Sequence, residues 1–312
     1  MNIEVNYELV REYELSGVLC LPLETEADSA VIILGGSEGG MHEDLARAYA
    51  EAGFAALALA YFGAEGVPSA LEDIPLEYFA EAVSFLEDQG FPPGAIGLLG
   101  GSRGAEAALL FASRDHRVGA VVSVVGSGIV TEGIDFRLGR LDSVVQGETN
   151  SWTEQGIAIP YLPYSPPSDL PQLIDSGINI PLKWIFAPVP SDPEMLEQVS
   201  IPVERIAGAI LLISATDDQM WDSVGYSAVA AERLREYEHP YPWDHLILER
   251  AGHGVNGLPG KPHTGTTSPG PGVTIEMGGT VERNTKAQAE TWEASMNFLR
   301  THLPRHPEAS GY

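Results

Sequence analysis

Cysteine and lysine are scarce in this sequence of 312 residues, which has one cysteine, Cys20, and three lysines. A single cysteine excludes an intramolecular disulfide, and we expect its thiol to be a small core group rather than a reactive one. No apolar run approaches the roughly 18 residues that a membrane-spanning helix needs. The first residues contain neither the basic nor the apolar segment of a secretory signal. These absences predict a cytoplasmic protein with no membrane partner.

Basic charge is also scarce, because 17 lysines and arginines stand against 44 aspartates and glutamates, for a formal net charge of −27. A nucleic-acid partner is therefore not expected, since phosphate binding needs a basic surface. One interpretation is adaptation to a salty cytoplasm, a halophile's acidic proteome, where a highly charged surface stays hydrated. The scarcity of lysine relative to arginine favours it. The alternative is an ordinary acidic protein, and neither interpretation identifies a reaction.

Apolar runs alternate with helical segments through the first part of the chain. Alternating stretches within residues 3–22 predict two opening antiparallel strands. The runs at 30–34, 54–60, 95–100 and 118–125 are almost continuously apolar. Such runs are typical of parallel strands that helices cover on both faces. The sequence therefore predicts the α/β class, with a mostly parallel central sheet.

The regular alternation stops near Gly126. Ten prolines lie between Pro160 and Pro202, and this density excludes long helices. We interpret residues 127–205 as an insertion in a single domain of residues 1–312. Open α/β sheets bind ligands beyond the carboxyl ends of their strands, so the insertion would be a lid over the site; the alternative is an ordinary packed excursion. The candidate substrate-pocket residues are Tyr161, Trp184, Phe186 and Trp221.

One short stretch, Gly100-Gly101-Ser102-Arg103-Gly104, carries a chemical pattern. It follows an apolar strand and opens a helix, so it matches the nucleophile elbow, a sharp turn that presents a serine hydroxyl. Small residues suit this turn because its backbone is strained and the neighbouring chain packs closely. The backbone amide of Arg103, at the helix N-terminus, is the first candidate to bind an oxyanion. The alternative is a plain Gly/Ser-rich turn.

A glycine-rich loop at residues 35–40 follows an earlier strand. It lacks the lysine of a phosphate-binding loop and the glycine spacing of a dinucleotide site, so no nucleotide cofactor is expected. In hydrolases a loop in this position supplies the second oxyanion amide. Ser37 and Glu38 are both candidates through their backbone amides, and a plain tight turn is the alternative.

Two later strand ends supply the partners that a serine nucleophile needs. A histidine must accept the serine proton, and a carboxylate must orient that histidine. His253 follows the last clear strand, and Asp217 and Asp218 follow the strand before it. We choose Asp218, because the acid commonly stands a few residues beyond its strand with a bulky residue soon after. The chain order Ser102, Asp218, His253 is that of α/β hydrolases.

The other histidines have no comparable context, and we interpret them as structural or solvated. They are His42, His116, His239, His245, His263, His302 and His306. The sequence contains no HExxH pattern and no Cys/His cluster at ligand spacing, so no metal is expected. Residues 254–280 are rich in Gly, Pro and Thr and are expected to form a loop. A closing helix is expected from about Lys286 to His302.

Taken together, the sequence resembles the catalytic domain of the acyl-CoA thioesterase and bile acid-CoA:amino acid N-acyltransferase family, which is close to dienelactone hydrolases. The resemblance extends over about residues 15–302 and is carried by the segments 35–40, 58–63, 74–79, 101–106, 211–214, 217–221, 251–253 and 278–280. It implies an α/β-hydrolase fold with a triad of Ser102, Asp218 and His253. Transferases of the family use a cysteine nucleophile, so the serine here implies hydrolysis.

The resemblance implies a serine hydrolase that cleaves acyl-CoA thioesters, small-molecule substrates, through an acyl-enzyme and without a cofactor. The same groups would serve a carboxylesterase or a dienelactone-hydrolase-like enzyme acting on esters or lactones. Acyl transfer to an amino acid and a non-catalytic binding role are less favoured. The acidic protein would repel CoA phosphates at low salt, whereas an uncharged ester would meet no such barrier. The oligomeric state stays open, including a homo-oligomer.

Overall fold

A computed structural model describes most of the chain. The described residues are 4–23, 26–138, 141, 145, 148–260, 265–270 and 273–304, with the side chains of 268–270 and 273 left aside. His263 and His306 lie outside them.

Fourteen strands are assigned within the described residues. Those of the main sheet are β1 (Val5–Val10), β2 (Ser16–Pro22), β3 (Ala30–Leu34), β4 (Ala55–Ala60), β6 (Ile96–Gly101), β7 (Val118–Val124), β11 (Ala209–Ala215) and β12 (Trp243–Leu248). The short ones are β5 (Ile74–Pro75), β8 (Trp152–Glu154), β9 (Ile157–Ala158), β10 (Ile180–Pro181), β13 (Thr266–Gly270) and β14 (Val273–Glu276). The main sheet has the order β1-β2-β4-β3-β6-β7-β11-β12.

The α-helices lie between and after these strands. They are α1 (Glu43–Glu51), α2 (Glu77–Asp88), α3 (Arg103–Ala112), α4 (Leu170–Asp175), α5 (Pro193–Val199), α6 (Ser223–Glu236) and α7 (Val281–His302). Within residues 127–205 the helices are short, as the proline density predicts. Helix α7 begins five residues before the expected Lys286, because Thr280 caps its N-terminus by accepting the amide of Arg283.

The predicted layers of the α/β class are confirmed. Strand β3 shows why both faces are covered. Ile32 and Leu34 belong to the core formed with α2, α3 and α6, whereas Val31 and Ile33 belong to the core formed with α1 and α7. Successive strand side chains point to opposite faces, so a continuously apolar strand needs an apolar layer on each side. Strands β1 and β2 pair antiparallel, and β3, β4, β6, β7, β11 and β12 run parallel, as expected.

The expectation of a loop over residues 254–280 is wrong in its second half. Strands β13 and β14 form an antiparallel pair there, and β14 also pairs with β10 of the insertion. The pairing places Ile275 opposite Ile180, and both side chains are buried. Gly and Pro are uncommon in strands, so the local composition hides β13 and β14, and the β10 partner of β14 lies far away in the sequence.

Candidate active site

Ser102 lies at the sharp turn between β6 and α3. Its backbone φ is 53° and its ψ is −119°, a conformation that costs energy for any residue with a side chain. The amide of Ser102 donates a hydrogen bond of 2.9 Å to the carbonyl of Val124. The strained turn is therefore anchored to the next strand of the sheet, as a nucleophile elbow requires.

Two glycines make the elbow sterically possible. A Cβ atom on Gly100 would lie 2.1 Å from the carbonyl oxygen of Gly104. A Cβ atom on Gly104 would lie 2.3 Å from the carbonyl oxygen of Gly35. These atoms belong to the backbone and cannot swing aside, so both positions need glycine.

Asp218 and His253 form a contact between two loops at the same edge of the sheet. Oδ2 of Asp218 lies 2.8 Å from Nδ1 of His253. The other oxygen, Oδ1, accepts the amides of Met220 at 2.9 Å and Trp221 at 3.3 Å. The side chain of Asp218 is only 1% exposed, so its orientation is fixed by three donors rather than by water.

The structure separates the two neighbouring aspartates. Asp217 accepts the amide of Gly279 at 2.9 Å and Nε2 of Gln219 at 2.8 Å. Asp217 therefore secures the turn before α7, while Asp218 alone of the two contacts the histidine. The assignment of Asp218 as the acid of the triad stays a prediction.

Ser102 and His253 line one cavity of about 400 Å³. Its wall includes the Gly36–Glu38 loop on one side and Asn256 and Met277 on the other. A second space, of only about 10 Å³, lies beside Ser102. It has room for about one water molecule.

The structure brings two of the four expected pocket residues to Ser102. Phe186 and Trp221 line the smaller space, and their rings meet edge to face with centroids 5.3 Å apart. The Trp221 ring also lies 6.0 Å from the ring of His253. Tyr161 and Trp184 line neither of these two cavities, and Trp184 is 45% exposed. Pattern alone cannot tell which aromatic residues of an irregular segment turn inward.

Sequence reasoning missed several residues of the cavity wall. Phe136 lines both spaces, and Ile275 and Met277 line the larger one from β14 and the turn after it. His42, expected to be structural or solvated, also lines the larger cavity. The local sequence around these residues holds no periodic signal, so they could be located only once the chain was folded.

The candidate oxyanion amides lie where the elbow and the glycine-rich loop meet. Arg103 is the first residue of α3, so its amide has no carbonyl partner inside the helix. Ser37 lies on the facing loop, and it lines both spaces together with Ser102. Glu38 lines the larger one, with its side chain 54% exposed. Both elements therefore line the space beside the serine, and the assignment of the oxyanion amides stays a prediction.

A buried ion pair lies directly behind the elbow. Nη1 of Arg103 is 3.2 Å from Oε2 of Glu106, and their side chains are 2% and 0% exposed. The Arg103 guanidinium also donates to the Thr131 carbonyl at 3.1 Å and to Oγ of Ser151 at 2.6 Å. The pair thus joins the first turn of α3 to two separate segments within residues 127–205.

Glu106 accepts hydrogen bonds from the same segments. Its carboxylate receives Nε1 of Trp152 at 2.7 Å, Oγ1 of Thr131 at 2.8 Å and the Thr131 amide at 3.2 Å. Burial raises the pKa of Glu106, although Arg103 and these donors oppose the rise. The carboxylate is costly to desolvate, and its partners hold the insertion at a defined position behind Ser102.

Two searches of the described residues bear on other classes of protein. No cluster of three or more His, Cys, Asp or Glu side chains able to hold a metal ion was found among them. In the same part of the chain, no helix has the length and apolar content needed to cross a bilayer. The cytoplasmic location stays a prediction.

The fold and the site together define the class, an α/β hydrolase, and three comparisons place the chain within it. Its sequence matches the family described as BAAT / acyl-CoA thioester hydrolase C terminal over residues 74–168 and 181–305. The chain is 30% identical over 306 residues to human acyl-coenzyme A thioesterase 6, covering 96% of this chain and 66% of that protein. It is 29% identical over 311 residues to human mitochondrial acyl-coenzyme A thioesterase 2, covering 97% of this chain and 58% of that protein.

A solved structure shows the same fold at low sequence identity. A dienelactone hydrolase-like promiscuous phosphotriesterase from metagenomic libraries aligns with a TM-score of 0.51 at 13% identity, covering 97% of this chain and 100% of that one. The chain therefore belongs to the BAAT / acyl-CoA thioester hydrolase C-terminal family, which confirms the resemblance found in the sequence. It spans slightly less than two thirds of the length of the two thioesterases.

The glycine contacts at the elbow predict a steric cost. Gly104→Ala would press a methyl group against backbone carbonyls, so we expect a loss of about 3 kcal/mol in the free energy of unfolding. Gly265→Ala is the control, because nothing lies within 4 Å of its added Cβ, and a change of at most about 0.5 kcal/mol is expected. Urea unfolding measures both, and equal stabilities would contradict the steric account.

The buried ion pair predicts a non-additive mutant cycle. Arg103→Met leaves the Glu106 carboxylate buried without its cation, and we expect a loss of about 3–5 kcal/mol. The double variant Arg103→Met/Glu106→Gln should be more stable than Arg103→Met alone, because the amide carries no charge and still accepts hydrogen bonds. Denaturant unfolding of the wild type, Arg103→Met, Glu106→Gln and the double variant gives the coupling free energy between the two residues. Additive losses in the free energy of unfolding would contradict the ion-pair account.

Proposed function

We propose that this chain is a serine hydrolase that cleaves acyl-CoA thioesters through an acyl-enzyme intermediate. The observation that carries the proposal is the 2.8 Å contact between Asp218 and His253 beside a cavity that Ser102 also lines. Membership of the acyl-CoA thioester hydrolase family supports the thioester as the substrate.

In the first half of the reaction, the Ser102 hydroxyl attacks the acyl carbon. Its proton passes to Nε2 of His253, because Nδ1 of that ring faces Asp218. Asp218 holds the ring in this orientation and stabilises its cationic form. The amide of Arg103 and an amide of Ser37 or Glu38 bind the oxyanion of the tetrahedral intermediate. The carbon–sulfur bond then breaks, and the leaving thiolate takes the proton from His253.

In the second half, water resolves the acyl-enzyme. His253 accepts a proton from the water as it attacks the acyl carbon, and the same amides bind the second oxyanion. The proton then returns to Ser102 as the carboxylic acid leaves. A serine ester is hydrolysed by this route without a metal or an organic cofactor, so the mechanism calls for none.

We also propose that residues 127–205 form a lid over the site. Phe136 and Phe186 of this segment contribute apolar surface to the spaces beside Ser102, which supports a role in binding the acyl group. The Arg103–Glu106 pair would keep this segment in register with the nucleophile. Acyl-chain preference would then depend on the insertion rather than on the elbow.

The second candidate is the same chemistry on uncharged carboxylic esters or lactones. The described residues that line the larger cavity include Glu38 but no lysine or arginine. The whole chain carries a formal net charge of −27. The described part of the cavity lining therefore has no positive side chain of lysine or arginine that would attract the phosphates of CoA. Acyl transfer to an amino acid is less favoured, because the nucleophile is serine.

The catalytic assignment predicts a large, residue-specific loss of activity. Ser102→Ala should lower kcat/KM for acyl-CoA by about 10⁴-fold or more, and Asp218→Asn by about 10⁴-fold, since the histidine loses its orienting charge. Asp217→Asn is the matched control, with the same charge change one residue away; the folded variant should keep most of its activity. Steady-state kinetics measures all three.

Labelling by a fluorophosphonate provides an independent check on the nucleophile. The wild type should be modified at Ser102 and the Ser102→Ala variant should not, as mass spectrometry of the intact protein would show. Undiminished hydrolysis by Ser102→Ala would contradict the serine mechanism. Absence of labelling in the folded wild type would favour a binding protein without catalytic activity.

Salt dependence separates the two substrate classes. Raising the ionic strength from about 0.05 M to about 1 M shortens the Debye length to about 3 Å. Relative to a neutral ester of the same acyl group, kcat/KM for acyl-CoA should then rise about tenfold, because repulsion of the CoA phosphates is screened. A neutral ester that is hydrolysed far faster than the thioester at every salt concentration would instead favour the second candidate.

A further inference from the structure

Three of the five amides of the loop 36–40 donate hydrogen bonds within the loop or to the residue beside it. The amide of Gly39 donates to the Gly36 carbonyl at 3.3 Å, and the amide of Gly40 donates to the Phe62 carbonyl at 2.9 Å. These contacts close the loop at Gly39 and Gly40 and connect it to Phe62, two residues after the end of β4. The amides at the start of the loop need other acceptors.

The Glu38 side chain provides one of these acceptors. Its Oε1 accepts the amide of Gly36 at 3.1 Å. Ser37 is the next residue, and its own amide has no acceptor among the described residues. The Ser37 amide is therefore left to bind a ligand.

His42 contacts the same oxygen of the Glu38 carboxylate. Nε2 of His42, four residues further along the chain, lies 3.0 Å from Oε1 of Glu38. The imidazole fills the space over Gly35, where an added Cβ atom would lie 2.2 Å from the same nitrogen. The glycine at position 35 is thus needed to admit the ring.

The engaged carboxylate lies next to the nucleophile. A Cβ atom on Gly36 would be 2.7 Å from Oε2 of Glu38 and 3.1 Å from Cβ of Ser102. Glu38, His42, Ser37, Ser102 and His253 all line the same cavity. Movement of the carboxylate would therefore be transmitted to the part of the loop that faces the reacting serine.

The Glu38 carboxyl is stabilised in its ionised form. Partial burial raises the pKa of Glu38, but the close contact and charge of His42 and the nearby amides outweigh this effect, so that the pKa lies below that of a free glutamate. An ionised carboxylate accepts from several donors at once. Its negative charge is held by these donors, which limits its repulsion of an oxyanion.

We propose that Glu38 is a positioning residue for the oxyanion hole, and that His42 holds it in place. By accepting the Gly36 amide, the Glu38 carboxylate turns the loop so that the Ser37 amide is the second oxyanion donor. Ser37 lines both spaces beside Ser102, whereas Glu38 lines only the larger one, which selects Ser37 over Glu38 as that donor. The inference rests on the proposed serine-hydrolase function, since an oxyanion forms only if Ser102 attacks.

The test compares variants at Glu38 with a matched control. Glu38→Ala should lower kcat about 100-fold with little change in KM, because only the transition state uses the Ser37 amide. Glu38→Gln, whose amide oxygen can still accept the Gly36 amide, should restore most of that loss. Glu43→Ala removes an exposed carboxylate just beyond His42 and should match the wild type.

A boronic acid that forms a tetrahedral adduct with Ser102 separates positioning from folding. Its inhibition constant should weaken with Glu38→Ala by about the same factor as kcat falls, while binding of the carboxylic acid product is unchanged. The same contrast is expected at His42. The His42→Leu variant should behave like Glu38→Ala, whereas His42→Gln keeps a hydrogen-bond donor and should retain activity. Thermal unfolding confirms that each compared variant is folded.

Two outcomes would overturn the inference. One is a Glu38→Ala variant with wild-type kcat and boronic acid affinity; the other is an equal weakening of boronic acid and product binding, which would indicate general distortion. If Glu38→Ala does not fold, the His42→Leu and His42→Gln pair decides by the same measurements.

Labelling of Ser102 by a fluorophosphonate keeps the two proposals distinguishable. A labelled wild type with an unaffected Glu38→Ala rejects only the positioning role, whereas an unlabelled wild type rejects the serine mechanism itself.

Discussion

The close approach of three backbone segments at the elbow is the constraint on which the site depends. Ser102 adopts a positive φ, and the turn closes only because Gly100 and Gly104 bring bare backbone against backbone. Gly104 also packs against the carbonyls of Leu34 and Gly35, so the elbow and the loop 35–40 share one contact. The position of Ser102 relative to this loop is thus set by the packing of β3, β6 and α3.

Charge is distributed very differently inside and outside this protein. The chain carries a formal net charge of −27, yet the buried carboxylates around the site have specific partners. Glu106 pairs with Arg103, and Asp218 accepts from His253 and two backbone amides. Burial of a carboxylate is costly unless donors replace its water, so these residues are tied to defined positions. The acidic surface, in contrast, affects solubility and the approach of charged substrates.

Much of the fold could be predicted because its signals are local. A continuously apolar strand such as Ala30–Leu34 needs two covering layers, and the Gly-x-Ser-x-Gly turn needs glycine for steric reasons. Asp218 and His253 could be selected because parallel strands end at one edge of a sheet. The strand Val273–Glu276 was not predicted, because it pairs with a segment about a hundred residues away. Local composition carries no information about such a partner.

The sequence by itself determined the α/β class, and it predicted an elbow at Ser102 followed by a candidate acid and a candidate histidine, because periodicity and glycine spacing are properties of neighbouring residues. The tertiary structure decided which groups meet in space. It placed Asp218, and not Asp217, in contact with His253. It also placed His42 in contact with Glu38 beside the serine. It also turned Phe186 towards the site, while Trp184 stayed partly exposed. Contacts of this kind depend on how distant segments pack, and no short-range pattern encodes them.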